Sequence, residues 1–284
     1  MSGHTPPTLE KLARQTLLRN EAMAISCLGE LPTILFPALF KEAFEGRHIN
    51  LIKEMVAAWP FPCLPVGALM KTPNGETMKA LLDGVDMRLT RTFHPKYLMT
   101  PLETLSVTCY IISQNDLDSF SCSQSLFHLK HLELIGVLLY GLDVMPLRGL
   151  LEKVADTLET LNLQWCGMKD PQLYALLPAL RNCSQLTTVK FYSNKFSMPI
   201  LKDLLQHTAN WSQVNVEQYP APLECYDDSS QVSVARFSQL CRELTDTHRA
   251  IRQPKNISFA TEICYTCGKR CVYHNGPRLC CCWQ

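Results

Sequence analysis

The chain lacks a charge surplus. Its 27 Lys and Arg stand against 26 Asp and Glu, leaving a net charge of +1, which gives no electrostatic ground for binding nucleic acid. Charge of either sign is sparse, at 19% of residues. No run of about 18 apolar residues occurs, so no membrane-spanning helix is expected. The start, MSGHTPPTLEKLARQ, carries no hydrophobic segment of the secretory kind, so a cytoplasmic or nuclear location is expected. No Gly-rich phosphate loop and no nucleophile motif is spelled, and the eight histidines are scattered. No catalysis and no required cofactor are therefore expected.

What is present is an apolar fraction of 46% over 284 residues, enough for a core and for roughly two domains. Most of the fourteen cysteines are expected to act as small buried apolar residues, because an intracellular chain keeps its thiols reduced. The glycosylation spellings at Asn182, Asn210 and Asn256 are chance matches in that setting.

One spelling recurs. It reads Leu102-x-x-Leu105-x-Val107, Leu129-x-x-Leu132-x-Leu134, Leu158-x-x-Leu161-x-Leu163, Leu186-x-x-Val189-x-Phe191 and Trp211-x-x-Val214-x-Val216, with start-to-start spacings of 27, 29, 28 and 25. That period and pattern are those of leucine-rich repeats, L-x-x-L-x-L-x-x-N/C-x-L. Cys166 and Asn194 stand at the N/C position, where a side chain satisfies backbone groups left open as a strand turns away. Tyr110, Val137 and Tyr219 fill it in the other copies.

Between these strands lie helical patterns. LRGLLEKVADTLETL sets Leu147, Leu150, Leu151 and Val154 on one face; PQLYALLPALRNC does the same with Leu173, Leu176, Leu177 and Leu180; MPILKDLLQHT with Ile200, Leu201, Leu204 and Leu205. Asp170-Pro171 reads as a helix start, with Asp170 as the cap. The fold class expected is α/β, a curved leucine-rich-repeat solenoid with parallel strands inside and helices outside. An N-terminal helical module occupies 1–95, the repeats 96–219, and a C-terminal cap 220–284. Strand alternation turns Glu103, Thr104, Lys130, Gln164 and Lys190 toward the open inner side. Such a scaffold carries no chemistry and is suited to gripping a protein.

The first third shows no repeat. TLEKLARQTLLRNEAMAISCL reads as one amphipathic helix, LPTILFPALFKEAFEG as a second broken at Pro32 and Pro37, HINLIKEMVAAW as a third and ETMKALLDGVDMRL as a fourth. AWPFPCLPVG reads as a turn region. Thr8-Leu9-x-x-x-Ala13-x-x-x-Leu17 resembles an elongin-binding box with alanine in place of cysteine. Leu31-Pro32-x-x-Leu35 resembles a cullin-two box. Boxes of this kind act as helix-in-groove contacts.

At the other end, VARFSQLCRELTDTHRAI is a capping helix and NISFAT a last strand. In ICYTCGKRCVYHNGPRLCCCW, Cys264 and Cys267 form a C-x-x-C pair followed by Gly268, and Cys280 and Cys282 a C-x-C pair. Four thiolates at such spacing suit a tetrahedral structural zinc, with Cys271, Cys281 and His274 as alternative ligands and a metal-free turn of reduced thiols as the other reading.

The stretches LARQTLLRNEA, ELPTILFPALFKEAFEGRH, AWPFPCLPVGALMK, CSQLTT, YPAPLECYDD and LCCCW resemble the PRAME family, the preferentially expressed antigen of melanoma and its relatives. The resemblance spans nearly the whole chain, which reads as a member shortened by a central block of repeats between Pro95 and the YLMTPLETL stretch. It implies a substrate receptor of a cullin-two RING ubiquitin ligase. In that role Thr8, Leu9, Ala13 and Leu17 would meet elongin, Leu31, Pro32 and Leu35 the cullin, and the repeats the target. It also implies repression of transcription through the retinoic acid receptor, with effects on proliferation, differentiation and apoptosis. Receptor grooves take L-x-x-L-L helices, here Leu147-x-x-Leu150-Leu151 and Leu201-x-x-Leu204-Leu205. Both motifs lie on repeat helices, where the leucines are expected to be core.

Overall fold

Alternation along the strands sets the architecture. In the computed structural model, which describes residues 8–61, 63–66, 75–90, 102–122, 124–228, 231–253 and 255–282, β2 (Thr104–Thr108) and β3 (His131–Ile135) alternate half-buried and buried side chains along their length. Three more strands follow, β4 (Thr160–Asn162), β5 (Thr188–Lys190) and β6 (Val216–Pro220). All pair in parallel and in chain order, with Leu105 beside Leu132, Leu132 beside Leu161 and Leu161 beside Val189. These four are fully or almost fully buried, each contributing about 1.5–3 kcal/mol relative to exposure.

Parallel neighbours need crossovers, and helices supply them. These are α6 (Gln114–Cys122), α7 (Met145–Lys153), α8 (Asp170–Asn182), α9 (Met198–His207) and α10 (Val234–Ile251), each packed on the next. The result is a mixed α/β structure of ten helices and a nine-stranded, largely parallel sheet among the described residues.

Two strands lie outside the five expected copies on the parallel side. β7 (Ile257–Ala260), the NISFAT segment, pairs in parallel with β6, and β8 (Val272–Tyr273) and β9 (Pro277–Arg278) add an antiparallel hairpin. At the other edge, β1 (Cys63–Pro65) pairs in parallel with β2, correcting the reading of AWPFPCLPVG as turn alone. The buried Trp59 indole donates to the Cys63 carbonyl at 2.9 Å. It sits against Phe36, Phe40 and Phe61, so the proline-rich stretch is anchored and delivers its end to the sheet.

Register corrects the last copy. Val189 pairs with Glu217 rather than Val214. The equivalents of Leu186, Val189 and Phe191 are therefore Val214, Glu217 and Tyr219, 28 residues on instead of 25. Tyr219 thus takes the third buried position, stacked on Phe191 at 6.2 Å, and not the N/C position. Trp211 and Val216 mimic the repeat spacing three residues early, but Val216 stays half-exposed.

The strand exits repeat as well. Cys109, Gly136, Trp165 and Ser193 stand at one place in four successive copies, and all have positive φ, between 53° and 70°. For the three that are not glycine this conformation is unfavourable by about 1–2 kcal/mol; only Gly136 adopts it freely. The next residue turns inward at the N/C position. The Cys166 thiol donates to the Leu134 carbonyl at 2.8 Å. The Asn194 amide donates to the Leu163 and Phe191 carbonyls and accepts from Met168 N–H.

Some helix bounds also shift. The first predicted helix is two, α1 (Leu9–Arg19) and α2 (Glu21–Cys27), because Asn20 leaves the helical region and its side chain accepts from Met23 N–H. After a single tight turn at Thr33–Leu35 comes α3 (Phe36–Glu45), with Pro37 in its first turn. Then follow α4 (Ile49–Ala57) and α5 (Gly75–Thr90). Asp170 lies inside α8 rather than capping it, since its carboxylate accepts from Ser197 N–H of the next copy at 2.9 Å. The predicted boundary at Pro95 lies outside the described residues, as do residues 1–7 and Trp283.

Candidate functional site

The first helix is held by one side only. Thr8 caps α1 by accepting from Lys11 N–H at 3.2 Å. Arg14 donates to Glu42 of α3 at 2.9 Å and pairs with Glu10. Leu17 is buried and Leu18 packs on the core. The opposite side presents apolar groups to solvent: Leu9 is 86% exposed, Leu12 44%, and Ala13 is exposed too. Near α1, Leu31 is buried, Pro32 exposed and Leu35 half-buried, while Ile34 is 79% exposed. The predicted box residues thus divide. Thr8, Leu9, Ala13 and Pro32 face water, whereas Leu17 and Leu31 belong to the core. Sequence reasoning passed over Ile34; its signal was an isoleucine in a proline-flanked stretch too short to form a helix of its own.

The open side of the sheet is polar. Lys130 pairs with Glu103 at 2.7 Å, Ser106 donates to Glu133 at 3.1 Å, and Gln164 donates to Gln218 at 3.2 Å. Thr104 and Lys190 are half-buried on the same side. At the strand exits the Arg270 guanidinium lies over the Trp165 ring at 4.8 Å and the Tyr192 ring at 5.5 Å. Burial presses the Arg270 pKa down, partly offset by Glu262, Tyr192 and Tyr226. Trp165 and Arg270 were not anticipated; the tryptophan before the N/C cysteine was the visible hint.

The six leucines of the two L-x-x-L-L motifs, Leu147, Leu150, Leu151, Leu201, Leu204 and Leu205, are all buried.

Glu217, at a core leucine position, is buried with its charge. Its Oε2 accepts from Tyr219 at 2.7 Å and Arg252 at 2.7 Å, and lies 3.1 Å from His248 Nε2; Oε1 has no hydrogen-bond partner. Burial alone would raise the carboxyl pKa, but His248, Arg252 and Tyr219 together hold it below the ordinary value.

The thiols of Cys264, Cys267, Cys280 and Cys282 converge, all within 4.8 Å of one another. Cys264 and Cys267 sit at a tight turn: Gly268, at φ +69°, donates to the Cys264 carbonyl, and Cys264 N–H donates to the Lys269 carbonyl. Backbone N–H groups aimed at the sulfurs hold the Cys264 thiol below its ordinary pKa and bring Cys267 to about 6. Burial pushes Cys280 up to about 12, and contact with the Cys267 sulfur does the same to Cys282. Cys281 is exposed and outside the cluster, as is the buried Cys271. No helix among the described residues is long and apolar enough to cross a membrane.

Comparison with known proteins matches residues 6–107 to the PRAME N-terminal domain and residues 80–282 to the PRAME C-terminal domain. Human PRAME family member 8 is 28% identical over 474 aligned positions, covering 99% of this chain and 100% of the relative. Mouse Oogenesin-3 is 28% identical over 467 positions, covering 96% and 93%, and human PRAME family member 12 is 28% identical over 472, covering 99% and 98%. None of these names denotes an enzyme. With only 284 residues here, each alignment leaves long internal stretches of the relative without a counterpart, as expected of a member shortened in its middle. The chain belongs to the PRAME family, and that membership supports a role in protein–protein interaction.

Proposed function

We propose that this chain is a non-catalytic substrate-recognition adaptor of a cullin-two RING ubiquitin ligase, built as a leucine-rich-repeat solenoid. It acts in the cytoplasm and nucleus and directs bound proteins to degradation. The N-terminal helices dock the elongin and cullin subunits, and the open side of the sheet takes the target. One observation carries the reading: α1 is capped by Thr8 and tied down by Arg14, yet leaves Leu9 86% exposed, with Leu12 and Ala13 beside it. A helix ordered on one side and apolar on the other is what a groove-binding element requires. Leu17 and Leu31 support the site from beneath, and Pro32, Ile34 and Leu35 supply the second contact.

The test is co-purification from cells. Leu9→Arg with Pro32→Ala is expected to abolish recovery of elongin and cullin; unchanged recovery with a folded protein would remove the assignment. The alternative, a corepressor that offers an L-x-x-L-L helix to a nuclear receptor, is opposed by the burial of those leucines. Exposing three would cost about 5–9 kcal/mol. Leu204→Ala with Leu205→Ala is accordingly expected to lower stability, not to sever receptor binding from an intact fold.

A further inference from the structure

The two thiol pairs of the tail flank the β8–β9 hairpin, with twelve residues between them. They come from opposite sides of it and yet meet within 4.8 Å. A tetrahedral zinc with Zn–S bonds of about 2.3 Å sets its sulfurs about 3.8 Å apart, so the four need move by no more than about 1 Å to close on the ion. The surroundings are those of a ligand set and not of a random thiol cluster. Gly268 N–H donates to the Cys264 carbonyl and Cys264 N–H to the Lys269 carbonyl, closing the tight turn that carries the first pair. The Cys271 sulfur, just outside, accepts from Cys280 N–H at 3.4 Å.

We propose that Cys264, Cys267, Cys280 and Cys282 hold one structural zinc ion, which fixes the hairpin to the sheet and sets Arg270 over Trp165 and Tyr192 on the rim of the open side. The tie is direct. Lys269 and Arg270 leave the first thiol pair, and Arg270 donates to the Thr261 carbonyl at 3.0 Å. Thr261 N–H donates to the Cys271 carbonyl and its hydroxyl accepts from Cys271 N–H. Four thiolates leave no open position on the ion, so its role is structural. The metal thereby shapes a surface offered to partners; it does so whether or not the ligase reading holds.

The test uses the full chain, purified in reductant without chelator and analysed by elemental mass spectrometry. About one zinc per chain is expected. Cys264→Ser with Cys267→Ser is expected to carry none, while Cys281→Ser, at the exposed neighbour, keeps it. Blocking the thiols and chelating the metal is expected to open the Lys269–Arg270 segment to trypsin. Should the double variant not fold, the wild type decides: cobalt exchanged into it is expected to give the intense visible bands of tetrahedral thiolate coordination. Folded wild type without zinc, iron in its place, a cluster mass lowered by disulfide formation, an octahedral cobalt spectrum, or equal loss of zinc in Cys281→Ser would each overturn the site.

Discussion

Glu217→Gln keeps the side-chain shape and deletes the charge at a position where earlier strands carry Leu105, Leu132, Leu161 and Val189. Tyr219 and Arg252 donate to one carboxylate oxygen, at 2.7 Å each, and His248 Nε2 lies 3.1 Å from it, all in a site closed to water. Removing one member of a buried ion pair costs about 3–5 kcal/mol. The lower end applies, because Arg252 also donates to the Trp211 carbonyl at 2.9 Å and keeps that bond. A loss of about 3 kcal/mol lowers the melting temperature by about 6–12 °C in a chain of this size. The sign with pH follows from the held-down carboxyl. Its stabilisation is complete above the ordinary value of 4.5 and fades as pH falls through the lower folded value. The gap between wild type and Glu217→Gln should therefore be full at neutral pH and close in acid. Replacing the cluster together, Glu217→Leu with His248→Leu and Arg252→Met, should recover most of the loss, since apolar residues of similar volume commonly match a buried ion pair. Thermal melts by circular dichroism measure all of this. A Glu217→Gln melt within about 1 °C of wild type, or a gap constant down to strong acid, would refute the reasoning.

Other outcomes follow from the backbone. A Cβ at Gly84 would stand 2.4 Å from the Lys53 carbonyl oxygen, where α5 crosses α4. Gly84→Ala should therefore cost about 1–3 kcal/mol by forcing the helices apart, read as a lower denaturation midpoint. Cys109→Gly should raise stability by up to about 1 kcal/mol, because Cys109 sits exposed at φ 53°; a lower melting temperature would show that its side chain matters more than its backbone.

Much of this fold is spelled in the chain. A leucine every 27 to 29 residues gave four strands their register, since burial on one side allows only one phase of a period-2 pattern. The fifth was misread because Glu217 occupies the apolar place, and no local rule announces a carboxylate paired with groups 31 and 35 residues away. β1 was hidden for a related reason: Cys63-Leu64-Pro65 between proline-rich neighbours carries no strand pattern, and only the Trp59 anchor gives it a place. Of the candidate sites, the cysteine spacing was legible and their convergence was not. The box was legible as a pattern, but which of its leucines face water depends on where α2 and α3 pack against α1. That packing also decides how to probe it. Deleting residues 1–40 would remove Phe36, Leu39 and Phe40 from the core, so point substitutions on the exposed side are the cleaner perturbation.

The most direct measurement is a calorimetric titration of the purified chain with the purified elongin complex, comparing wild type with Leu9→Arg. Leu9 lies almost wholly in solvent, so the substitution should leave the melting temperature unchanged. Burying a leucine in a partner groove is worth about 1.5–3 kcal/mol, or a loss of about tenfold to a hundredfold in affinity. Equal affinity of the two proteins, both folded, would contradict the account.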